Sequence, residues 1–341
     1  MNFHSVDRIV NTLLYEGYIL YPYRASSVKN HLRFNFGVVY PRPYAESQSG
    51  NDAWSMQTQC LASGDADASF EICVRFLRIV DRVVGKCGES PNELFRGLPR
   101  LQVDGQLHES WQEAVECRID LPTCPAATLC ASPLRHAFFF PREQAREILR
   151  DAQGSLAGAI VRTREAMQGV VEASAEKLPN GAWRLTVRIV NTAEMPSGSE
   201  ARRELALPYS LISAHTVLGI NKGEFISLLE SPAEFRDAAS ACRNEGTWPV
   251  LAGDAGQRDT MLSSPIIFYD YPAIAPESPG DLFDSTEIDE ILTLRVMTMS
   301  DQEKLEARRI DDRARRILER ADLLDPEQFS KLHGTFRGTS R

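Results

Sequence analysis

The chain has 341 residues, 43% of them hydrophobic and 25% charged, the make-up of an ordinary water-soluble globular protein with room for two domains. Its net charge of −9 excludes a general role on nucleic acid or anionic membranes, which call for basic surfaces. No apolar run approaches the roughly 20 residues that cross a bilayer, and Asp7, Arg8 and Glu16 break the N-terminus, so neither membrane insertion nor a secretory leader is expected.

Residues 17–45 contain no Asp or Glu. They carry Arg24, Lys29, His31, Arg33 and Arg42 among Tyr18, Tyr21, Tyr23, Phe34, Phe36, Tyr40 and Tyr44. Guanidinium groups beside aromatic faces fit a protein hot spot, and four Lys and Arg side chains are too few to hold a polyanion against this net charge. Period-two alternation then marks strands. The phase slips at Phe76 and Leu77, the mark of a β-bulge. Cys117, Ile119 and Leu121 alternate with Glu116, Arg118 and Asp120, as do Trp183, Leu185, Val187 and Ile189 with Arg184, Thr186 and Arg188. Asn180-Gly181 supplies a hairpin turn between two strands. Ser90-Pro91-Asn92-Glu93 reads as a capping box opening a short helix, and the spacing of Ala145, Ile148 and Leu149 predicts another over residues 141–152.

Pro196, Ser197, Gly198 and Ser199 read as a linker. The expected architecture is therefore α+β, with a β-rich, sandwich-like antiparallel domain over residues 1–195. A smaller mixed α/β domain with a helical C-terminal end follows over 200–334, and a disordered tail over 335–341. Within the second domain, residues 211–220 read as an interior strand, and Ser231-Pro232-Ala233-Glu234 opens a helix reaching about Cys242. Residues 248–252 and 265–271 read as further strands, and helices begin at Ser300 and Asp325.

Residues 259–294 hold Asp259, Asp270, Glu277, Asp281, Asp284, Glu287, Asp289 and Glu290 without one Lys or Arg, and are stiffened by Pro265, Pro272, Pro276 and Pro279. A rigid segment of one sign serves docking to a basic partner, a cation, or a helix N-terminus in which Asp284, Glu287 and Asp289 meet the positive dipole end. Asp270 stands in an apolar run and needs a partner, either His215 or an N-terminal arginine such as Arg24 or Arg33. His215 itself reads as a core histidine with one hydrogen bond. Should a metal be bound, its candidate ligands are His215, Asp270, Glu277 and Asp281. The seven cysteines (Cys60, Cys73, Cys87, Cys117, Cys124, Cys130 and Cys242) include no Cys-x-x-Cys pair and read as free thiols. No nucleophile elbow, phosphate-cradling loop or zincin motif occurs, so no catalytic residue and no cofactor is assigned.

Several long stretches carry a resemblance. They are Leu14-Tyr15-Glu16-Gly17-Tyr18-Ile19-Leu20-Tyr21-Pro22-Tyr23-Arg24, Lys29-Asn30 with Phe36-Gly37-Val38, Gly246-Thr247-Trp248-Pro249-Val250-Leu251, and the run from Asp259 to Leu292. Together they resemble uncharacterised accessory proteins encoded in gene clusters for oxygen-insensitive, actinobacterial-type [NiFe]-hydrogenases. The resemblance implies a cytoplasmic, non-enzymatic factor that assists hydrogenase assembly through contacts with a structural subunit or another maturation protein. The expected contact residues are Tyr21, Tyr23, Arg24, Lys29 and Arg33 on one surface, and Glu277, Asp281, Asp284 and Glu287 on the other.

Overall fold

The computed structural model describes residues 4–15, 36–50, 52–86, 95–198, 202–272 and 319. Residues 37–271 form one compact unit, and helix α1 (His4–Leu14) belongs to a second. Val6, Val10, Leu13 and Leu14 recur at helical spacing along α1 and are buried, so this short amphipathic helix spends its whole apolar stripe on packing.

One 32-residue strand, β1 (Ser55–Lys86), organises the larger unit. It pairs antiparallel with β2 (Arg96–Leu98), β5 (Trp111–Asp120), β6 (Cys124–Pro125), β9 (Leu156–Arg164), β11 (Trp183–Asn191) and β12 (Ile212–Ile226). Beyond β11 the sheet continues through β10 (Met167–Lys177) to β7 (Leu134–Phe140), and beyond β12 through β14 (Thr260–Ser264) to β13 (Trp248–Leu251). β8 (Glu143–Arg150) pairs with β9, and β3 (Arg100–Val103) with β4 (Gln106–Glu109) forms a separate hairpin. The helices of this unit are short: α2 (Arg42–Ser47), α3 (Ala126–Ala131), α4 (Arg203–Ala206) and α5 (Arg236–Ser240). Among the described residues no helix is long and apolar enough to cross a membrane.

A strand this long cannot stay flat. The register of β1 against β12 shifts between Arg75 and Leu77, where the sequence phase slips, and again between Gly64 and Ser69. Each extra residue bends the strand and raises its twist. The sheet consequently folds back on itself: Phe76 of β1 meets Phe138 and Phe140 of β7 at 6.3 and 5.9 Å, although two strands separate β1 from β7 in the sheet. The inward residues of β1, β10, β11 and β12 fill the space between, among them Phe70, Val171, Leu185, Val187, Ile189 and Leu218. Three arginines of β1 are buried beside this core, each with a partner. Arg75 meets Glu116 at 3.1 Å, Arg78 donates to the carbonyls of Pro141 and Glu165, and Arg82 donates to that of Glu109. Pairing of this kind offsets the cost of removing a guanidinium from water.

The β-rich, antiparallel expectation is met, and three of its details are corrected. β12, β13 and β14 join the sheet of β1, so the described residues before and after the expected boundary belong to one compact unit. Strand pairing to distant β1 overrides the local Pro/Gly/Ser signal. Within 141–152, where the spacing predicts a helix, Glu143–Arg150 form strand β8. The turn of Asp151 to Gly154, with Gly154 at φ +83°, returns the chain onto β9, and Glu143–Arg164 and Glu147–Arg162 ion pairs lock the register. Residues 265–271 leave the sheet as irregular backbone, the strand having ended at Ser264. The capping box at Ser90 and the helices expected from Ser300 and Asp325 lie outside the described residues.

Candidate functional site

Strand β13 stands at the edge of the sheet, and its sequence and surroundings close that edge. Ala252 N–H bonds Thr260 C=O across to β14, so strand alternation turns the N–H and C=O of Leu251 outward. Both are met. The Asp270 carboxylate accepts the Leu251 N–H at 2.8 Å, and Tyr271 N–H donates to Leu251 C=O at 2.7 Å. Pro249, the other outward-turned residue, has no N–H to expose.

The second carboxylate oxygen of Asp270 accepts the Ser227 hydroxyl at 2.5 Å. Ser227 Oγ in turn accepts the N–H groups of Leu229 and Glu230, at 3.1 and 2.8 Å. One donor and two acceptor positions are all that a hydroxyl offers, so Ser227 is fully used. Asp270 thus ties three pieces of chain together: β13, the turn after β12, and its own segment. Tyr271 adopts φ +59°, a conformation that costs energy in a non-glycine residue and persists where its surroundings impose it. Here the hydrogen bond to Leu251 and packing against the main core impose it.

This clamp holds the segment 265–271 at both ends. At the near end Ile266 N–H donates to Ser264 Oγ, and Pro265 packs over Gly37, where a Cβ would approach Pro265 Cγ to 2.5 Å. Between the two anchors Tyr269 is 87% exposed and Ile267 69% exposed. Leu229, two residues from Ser227, and Trp248 on β13 are exposed as well. Large apolar side chains fixed in water on a doubly pinned loop contribute nothing to a core, and such surfaces mark contact sites. The arrangement presents a rigid apolar platform whose ordering cost is met before anything binds.

The residues singled out in the sequence fall differently. Tyr21, Tyr23, Arg24, Lys29, Arg33, Glu277, Asp281, Asp284 and Glu287 lie outside the described residues, as do the expected contacts of Arg24 and Arg33. Asp270 needs a partner as expected, and among the described residues its partners are Ser227 and the Leu251 amide rather than His215. A hydroxyl and an amide each donate to one oxygen of this half-buried carboxylate. His215 is the expected core histidine, fully buried, with Nδ1 2.7 Å from Ser213 C=O. Burial pushes its pKa down to about 4 against the hydrogen bond to Ser213, which favours the charged ring. It shares no hydrogen-bond partner with Asp270, and among the described residues no three His, Cys, Asp or Glu side chains converge as a metal cage. Burial also raises the pKa of Cys60, Cys73, Cys117 and Cys242, that of Cys73 to about 12, so these thiols stay protonated and unreactive.

Sequence reasoning missed Ser227, Leu229, Trp248, Ile267 and Tyr269. The lone carboxylate in an apolar run was the available signal, and it points to the right segment without naming the partner 43 residues away. No protein-family model matches this chain, and no curated protein is significantly similar to it.

Proposed function

We propose that this protein is a cytoplasmic, non-enzymatic accessory factor that assists assembly of a [NiFe]-hydrogenase by docking onto a structural subunit or another maturation protein. The observation that carries the reading is the clamped segment 265–271, with Ile267 and Tyr269 held out in water by Asp270. The resemblance of the long motifs around Tyr21, Trp248 and Asp270 to hydrogenase-cluster accessory proteins supplies the partner class. The two lines of support meet in one stretch of chain, because the motif that carries the resemblance contains the clamp. In sequence the acidic residues Glu277, Asp281, Asp284 and Glu287 follow the platform directly, and they would add charge steering toward a basic partner.

Affinity purification of the tagged chain from hydrogen-oxidising cells tests the proposal. Hydrogenase subunits or maturation proteins should accompany the wild-type chain and be lost with Tyr269→Ala, which removes an exposed ring and leaves the fold intact. Recovery of the tagged chain alone, or equal recovery of partners with the variant, would overturn it. Deleting the gene should leave the hydrogenase subunits expressed but poorly assembled. Fully active enzyme in the deletion strain, grown under limiting nickel and in air, contradicts the reading.

A further inference from the structure

At the opposite end of the sheet from β13, strand β7 is an edge with none of the usual protection. Thr192 N–H bonds Gln168 C=O, and Leu178 N–H bonds Ala182 C=O, so the even-numbered residues of β10 face β11. The odd-numbered residues of β10 therefore face β7, where they meet Leu134, His136, Phe138 and Phe140. That leaves the backbone N–H and C=O groups of Arg135, Ala137 and Phe139 directed away from the sheet. No hydrogen bond to these groups occurs among the described residues. The side chains of the same three residues are exposed, with Phe139 at 63%, while Phe138 lies in the core and Leu134 and Phe140 pack against it.

Natural edges are blunted by proline, lysine, a bulge or a covering segment. β13 has Pro249 and the Asp270–Tyr271 cap, and β8 carries Glu143, Arg146, Glu147 and Arg150 along its exposed length. β7 has prolines only outside its ends, Pro133 and Pro141, and they delimit the open edge at Leu134–Phe140 without blocking it.

We infer that β7 is a self-association edge, at which a second copy of this chain adds its own β7 antiparallel across a two-fold axis at Ala137. The occupant follows from the register. Antiparallel pairing of β7 with itself uses all three outward residues only when centred on Ala137. Ala137 then exchanges both hydrogen bonds with the partner's Ala137, and Arg135 does so with the partner's Phe139. On the exposed face this register sets each Arg135 guanidinium beside the partner's Phe139 ring, a favourable cation–π placement made twice by symmetry. The small Ala137 pair at the axis lets the strands approach. Arg135 retains Glu172 on its other side, at 3.7 Å. An isologous contact of this kind closes after two copies and leaves no open edge to propagate. The inference is independent of the docking role proposed for residues 265–271.

Sedimentation velocity of the full chain over a concentration series tests it. The wild-type chain should pass from the mass of one chain to twice that mass. Ala137→Pro removes an outward N–H and no β10 hydrogen bond, and Phe139→Lys replaces the ring with a cation set beside the partner's Arg135, a like-charge pair made twice by symmetry. Each should weaken association at least about tenfold, with an unchanged circular dichroism spectrum. The register has its own test. With Cys130→Ser to remove an exposed thiol, Ala137→Cys should cross-link under oxidation, because bonded antiparallel partners stand roughly 5.5 Å apart between Cα atoms. Ala145→Cys on β8 should not cross-link. A single-chain mass at every concentration, or a dimer indifferent to both Ala137→Pro and Phe139→Lys, would overturn the inference. Tyr269→Ala should keep the dimer while losing the co-purifying partner, which separates failure of this inference from failure of the docking role.

Discussion

The two ends of one sheet handle the same liability in opposite ways. β13 is four residues long, carries a proline, and has its outward amide and carbonyl occupied by Asp270 and Tyr271. β7 is seven residues long and leaves three residues' worth of outward backbone unoccupied. The contrast teaches that a carboxylate in an apolar stretch can do the work of a missing strand. It satisfies an edge and, in the same contact, holds a loop in a shape fit for recognition. An edge without such a cap is itself a surface for recognition through backbone groups.

The largest effect expected is one that should not distinguish the two edges. His215 sits on β12, in the middle of the sheet. The unfolded chain takes up its proton near pH 6.5, whereas burial holds the folded ring neutral down to about pH 4. The stability this provides is present above pH 6.5 and is lost as the pH falls through that window, by about 3 kcal/mol in all. His215→Gln should flatten this part of the stability–pH curve in urea titrations. A slope unchanged by the substitution would show that other groups set it.

Asp270→Ala attacks the contrast directly. It leaves the Leu251 N–H and the Ser227 hydroxyl without their acceptor, which at this half-buried site costs about 1 kcal/mol for each donor, about 2 kcal/mol together. Unfolding by denaturant should report that loss, and the variant should also gain self-association, since β13 becomes a second open edge. Pro249→Ala is a gentler version. It restores one outward donor on β13 and should change stability by less than about 1 kcal/mol, yet raise the tendency to associate. Phe139→Ser, at the already open edge, should alter the stability of the single chain by no more than about 0.5 kcal/mol.

Much of the sheet was legible in the sequence because one of its faces is a core. Alternation placed β5 and β11, and the phase slip at Phe76 and Leu77 located the bulge that bends β1. Asn180-Gly181 located the β10–β11 turn, where Gly181 has φ +86°. α1 went unread, although Val6, Val10 and Leu13 recur at helical spacing. β8 was not legible, since Ala145, Ile148 and Leu149 fit a helix equally well and only pairing with β9 decides. The site was half legible. Asp270 declared its need for a partner, but a serine between a strand and a turn carries no local sign that it will meet a carboxylate far along the chain. Which edge is capped is a property of the assembled sheet, and no window of sequence contains it.

Site-resolved amide hydrogen exchange tests the contrast between the edges most directly, because it reads the groups in question one at a time. In dilute solution Leu251 and Tyr271 should exchange slowly, and Arg135, Ala137 and Phe139 should exchange fast. As concentration rises, the three β7 amides should become protected while Leu251 and Tyr271 stay as they were. Leu251 exchanging as fast as Ala137 in dilute solution, or protection at Ala137 that does not depend on concentration, would contradict the account.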